Sequence, residues 1–106
     1  MTIQEPFFQR YQSADPLALA KKVERDYVQL AQARAAHDEQ VQLELLSRLG
    51  SRLTILGKES AAAPLLEQAF VLARRLGEKR LEITALLNLA TAQQYLGLRD
   101  LAQSLF

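Results

Sequence analysis

The chain has no cysteine and no tryptophan, and it contains a single histidine, four glycines and three prolines in 106 residues. Without cysteine there is no disulfide framework, no thiolate metal site and no Cys nucleophile. With His37 alone, a multi-histidine metal site is excluded. So few glycines and prolines leave too little turn chemistry for an all-β fold of many short strands. An excess of one charge is also missing. Thirteen Lys+Arg against twelve Asp+Glu leave a net charge of +1, so no global field recruits nucleic acid or an acidic membrane. The longest uncharged run, Ile83 to Leu98, spans 16 residues and includes Asn88, Gln93 and Gln94. It is too short and too polar to cross a bilayer. Met1-Thr2-Ile3-Gln4-Glu5-Pro6 has neither the basic start nor the apolar stretch of a signal peptide. The expectation is a cytoplasmic protein, with which the lack of cysteine agrees.

What is present points to helices. Apolar residues make up 49% and charged residues 24% of the chain, the balance of one globular domain of modest size. Ala, Leu, Gln, Glu, Arg and Lys dominate, and all are good helix formers. Residues 1–15, with Phe7, Phe8 and Tyr11 but no clear period, read as an N-terminal lead-in segment. Asp15-Pro16 is a helix start, because Asp caps free N–H groups and Pro suits the first helical position. From there to about Ala36, Ala20, Val23, Tyr27, Leu30, Ala31 and Arg34 recur at spacings of three and four, one helical face. Core packing is assigned to Tyr27 on that basis. His37-Asp38-Glu39 is a polar turn.

Further helices are expected from about Glu39 to Leu56, Ser60 to Leu76 and Lys79 to Leu96, stopped by Gly57, Gly77 and Gly97. A fifth starts near Arg99-Asp100. Pro64 lies in or just past the first turn of its helix, where a missing N–H costs least. The middle helices are apolar on more than one face, so they are sandwiched between neighbours.

The chain also repeats itself. At an offset of 40 residues, eight of 34 aligned positions are identical, including Ala33-Arg34 with Ala73-Arg74, Leu46 with Leu86, Leu49 with Leu89, Leu56-Gly57 with Leu96-Gly97, Ala62 with Ala102 and Leu65 with Leu105. Unrelated amphipathic helices share leucines by chance, but not a Leu-Gly stop with a small residue five positions later. The shared positions have a steric reason. Gly50 or Ala90 on one helix, facing Ala62 or Ala102 on the next, lets two antiparallel helices approach closely. Leu66 or Phe106, one turn on, fills the adjoining gap. A mid-helix glycine costs about 1 kcal/mol against alanine, so Gly50 reads as a packing requirement.

On these residues the chain resembles the tetratricopeptide repeat family, in its variant of roughly 40 residues. The first copy reads Leu46, Leu49-Gly50, Leu53, Gly57, Ala62, Leu66, Ala69, and the second Leu86, Leu89-Ala90, Gly97, Ala102, Phe106. Gln93 stands where the family usually has an aromatic residue, and the first aromatic of the pattern is Leu in both copies. The resemblance implies an all-α fold, a right-handed stack of antiparallel helical hairpins of about five helices. Residues 16–36 would form a degenerate half repeat, 41–76 a repeat and 81–106 a partial repeat.

Catalysis has little support. His37 beside Asp38 lacks a nucleophile, no carboxylate pair shares an apolar pocket, and no Gly-rich loop is present to cradle phosphate. The expectation is a non-enzyme with no cofactor and no metal. Arg74, Arg75, Lys79 and Arg80 are interleaved with Glu78 and Glu82 and read as a solvated helix end. The family resemblance instead implies a groove, lined by the first helix of each hairpin, that holds a peptide or helix of another protein. Its positions here are Glu44, Ser47, Arg48, Ser51, Thr54 and Ile55, then Thr84, Leu87, Asn88, Thr91, Gln94 and Tyr95, with Asn88 matching the family's frequent backbone-binding Asn. Ser47 and Ser51 replace the Lys and Asn of a carboxylate clamp, so side-chain contacts would hold the partner. The alternative function is the sensor or multimerisation part of a nucleic-acid-linked transcriptional regulator. Finally, Leu98, Leu101, Leu105 and Phe106 form an apolar end without a polar capping helix. Either the 106 residues belong to a longer array or that end is buried against another copy or another protein, and self-association as a homodimer is expected there.

Overall fold

The computed structural model describes residues 15–105, apart from the side chain of Leu105. The lead-in segment before Asp15 and the expected contact residues Leu105 (its side chain) and Phe106 lie outside this description. Four helices make up the described chain: α1 (Pro16–Ala35), α2 (Glu39–Ile55), α3 (Glu59–Leu76) and α4 (Lys79–Leu105). Among the described residues there is no strand, and no helix is long and apolar enough to cross a membrane.

Sequence explains the three turns. Asp15 caps α1 by accepting the Leu17 N–H at 3.1 Å, with Pro16 in the first turn. Asp38 caps α2 through the Val41 N–H at 3.2 Å. Each of the first three helices ends the same way. The N–H groups of His37, Gly57 and Gly77 reach back to Arg34, Thr54 and Arg74, and those of Asp38, Lys58 and Glu78 to Ala33, Leu53 and Ala73. This double bond pattern needs a left-handed residue just past the helix, and φ is 55° at His37 and 75° at Gly57 and Gly77. Histidine is among the few side chains that tolerate this region. His37 is therefore an exposed turn residue.

Each helix packs mainly on its neighbours in sequence, and α2 also touches α4. The core is aliphatic: Leu30, Leu43, Leu49 and Leu66 are the largest fully buried side chains, joined by Ala62, Ala69, Ala73, Ala85 and Ala92. Gly50 is a packing requirement, as expected. A Cβ there would overlap Cγ and Cδ2 of Leu66, so the missing side chain is what lets α3 close onto α2.

Two expectations are corrected. The expected fifth helix near Arg99-Asp100 is not a separate one, because α4 runs unbroken through Gly97 to Leu105. The unbroken path keeps the backbone groups of 98–101 in helical bonds. Arg99, two residues past Gly97, anchors this path. It donates from Nη1 to the Gly57 carbonyl at 2.8 Å and pairs with Glu59. In α1 the buried row is Leu19, Val23, Asp26, Leu30 and Ala33. Tyr27, at 43% exposure, stands outside the core, as do Ala31 and Arg34. The inward row is displaced toward Asp26, a charged residue that hydrophobic spacing passes over.

Candidate functional site

Burial divides α2 into strips. Leu45, Arg48 and Arg52 border α1, where both arginines meet Asp26. Gly50 borders α3 through Leu66. Leu43, Ser47, Gly50 and Thr54 share one row of α2 at steps of four, three and four, Leu43 fully buried and Ser47 and Thr54 half-buried, and α4 also packs on this helix. Ser51 is half-buried beside them, and Glu44 and Ile55 are exposed. The hydroxyl of Ser47 is buried without a hydrogen-bond partner, while Thr54 donates to the Gly50 carbonyl at 2.8 Å. The expected α2 positions thus split. Ser47, Ser51 and Thr54 are half-buried on and beside the row of Gly50. Glu44 and Arg48 also line a cleft on the α1 side with Gln29, Ala33 and Val41.

Arg48 has a structural partner. Its Nε lies 3.4 Å from Asp26 Oδ1, and Arg52 Nη1 bonds Asp26 Oδ2. Asp26 is 3% exposed, and a carboxylate so buried requires this pairing. Asp26 escaped the sequence reading. Its signal was a carboxylate in phase with Leu19, Val23 and Leu30 on the inward row. Glu59, equally buried, has its Oε2 2.6 Å from Arg99 Nη1, close enough for charge pairing though without a well-directed hydrogen bond.

On α4 the expected residues fall into two rows, because steps of three and four return to the same face. Thr84, Asn88, Thr91 and Tyr95 form one row, flanking the core-facing Ala85 and Ala92. Asn88 is half-buried and the other three are exposed. The hydroxyls of Thr84 and Thr91 donate to the carbonyls of Arg80 and Leu87 at 2.9 Å each. Leu87 and Gln94 belong to a second, outer row with Ile83, Ala90, Gly97 and Leu101. It is bordered by Leu86 and Leu98, and every member is exposed. The structure therefore joins Leu98 and Leu101 to a stripe that runs the length of α4.

Among the described residues no three His, Asp or Glu side chains converge as a metal site. Comparison with known proteins returns no match, whether to family models, to curated proteins or to solved structures.

Proposed function

We propose that this chain is a non-catalytic protein-interaction module of tetratricopeptide type, a right-handed stack of helical hairpins that holds a peptide or helix of another protein between α2 and α4. The observation that carries this reading is the polar row Thr84, Asn88, Thr91 and Tyr95, three of its members exposed, on a helix that packs on α2, which carries the half-buried Ser47 and Thr54. Supporting it, the family-like positions have the steric roles that the repeat demands: Gly50 under Leu66, and left-handed turns at Gly57 and Gly77. A lining of hydroxyl, amide and phenol groups suits recognition of a backbone with a few side-chain contacts.

Asn88→Ala provides the test. A partner captured from lysate by the wild-type chain, then purified, should bind the variant at least about tenfold more weakly, a loss of one hydrogen bond or so. The melting temperature should stay within a few degrees. Equal affinity for wild type, Asn88→Ala and Tyr95→Ala would remove the groove from the account. Arg48 is unsuited to this test, since its loss weakens the pairing of buried Asp26.

A further inference from the structure

Among the described residues the outer face of α4 has no neighbour, yet it is the most continuous exposed apolar surface they present. Ile83, Leu86, Leu87, Leu98 and Leu101 are 49–63% exposed, and no charged residue interrupts the stripe. Five such side chains present on the order of 500 Å² of apolar area, at the upper end of what lone soluble chains expose.

The order of residues along the stripe identifies its occupant. Ile83, Leu87, Ala90, Gln94, Gly97 and Leu101 are spaced alternately four and three apart, the seam spacing of a two-helix coiled coil. Laid antiparallel on itself about a two-fold axis near Ala92, the stripe matches layer by layer. Ile83 meets Leu101 of a second copy, Leu87 meets Gly97, and Ala90 meets Gln94. A bulky residue at each outer layer thus faces another bulky residue, and Leu87 faces a glycine where an added Cβ would meet no other side chain. Gln94, the single polar group, lies opposite Ala90 on either side of the axis, where a polar seam residue fixes register. No like charges are brought together.

We infer that α4 is a self-association surface, on which two copies of this chain pack antiparallel through the Ile83–Leu101 stripe. Two such faces bury on the order of 1,000 Å², the lower bound for a specific interface, so the dimer is a reversible one. The occupant is not the chain's own terminal segment folded back at Gly97, because Arg99 holds that segment on the Gly57 carbonyl and Glu59. Gly97 then has a use in the unbroken helix: it makes room for Leu87 of the other copy. The polar row of Thr84, Asn88 and Thr91 stays outside this contact, so the inference stands or falls independently of the groove.

Sedimentation equilibrium of the full chain across the micromolar range tests association. A concentration-dependent dimer is expected, and Leu87→Asp should raise its dissociation constant at least about tenfold with helicity unchanged. Orientation is tested with single cysteines in this cysteine-free chain. A mixture of Ile83→Cys and Leu101→Cys should form the mixed disulfide. Neither variant should cross-link with itself, since like residues lie about 27 Å apart along the axis. A monomer at every concentration, a dimer indifferent to Leu87→Asp, or self-disulfides of either variant would each overturn the inference.

Discussion

The two copies of the 40-residue repeat begin alike and end differently. In the first, Leu43, Leu46 and Gly50 are buried, and α3 turns back at Gly57 to close on Gly50 through Leu66. In the second, the corresponding Ile83, Leu86 and Ala90 are exposed, and the corresponding Gly97 sits inside a helix. The same Leu-Gly pair thus ends one helix and passes unnoticed through another. Glycine permits a left-handed turn but does not compel it. The outcome depends on what holds the following segment, Leu66 on Gly50 in one copy and Arg99 on the Gly57 turn in the other.

This difference gives matched pairs of variants. The largest effect belongs to the buried member of the pair Leu43 and Ile83. Leu43, at 0% exposure, should cost about 2–5 kcal/mol on truncation to Ala. Ile83, at 57%, should cost less than about 1 kcal/mol at concentrations where the chain is monomeric. Chemical denaturation at low protein concentration checks both. Comparable losses would mean that the second copy is covered within the single chain.

A smaller effect, opposite in sign, separates two glycines that both have open space around them. At Gly77 φ is 75°, so Gly77→Ala should destabilise by about 1 kcal/mol. Gly97 lies in α4 with open space where a Cβ would stand, so Gly97→Ala should stabilise the monomer by up to about 1 kcal/mol. A fall in melting temperature for both would place a turn at Gly97.

Much of the fold was legible because its signals are local. The caps Asp15 and Asp38, the stops at Gly57 and Gly77 and the interior glycine at Gly50 each act through residues within one turn or one facing helix. The starts and ends of α1, α2 and α3 fall within a residue of the expected positions for that reason. The unbroken α4 was not legible, since it turns on Arg99 meeting Gly57, 42 residues away in sequence. Asp26 was missed for a related reason. Hydrophobic spacing sees a charge as solvent-facing, and only the arrival of Arg48 and Arg52 from α2 makes its burial tolerable. The same blindness put Tyr27 inside. Of the candidate groove, residue type and spacing revealed the row on α4, while the diversion of Arg48 to Asp26 required the packing of α1 on α2.

Among the described residues α4 is one unbroken helix whose outer face no other helix covers. Paired spin labels on Thr84→Cys and Ser104→Cys, both exposed positions in the cysteine-free chain, measure this directly. With labelled chains diluted in excess unlabelled protein, only the intrachain distance contributes. Twenty residues of continuous helix place the sites about 30 Å apart, and a single narrow distribution there is the expected result. A distribution centred well below about 20 Å, with the sites about 13 Å apart across two packed helices, would show the chain folded back at Gly97 and would contradict an unbroken α4.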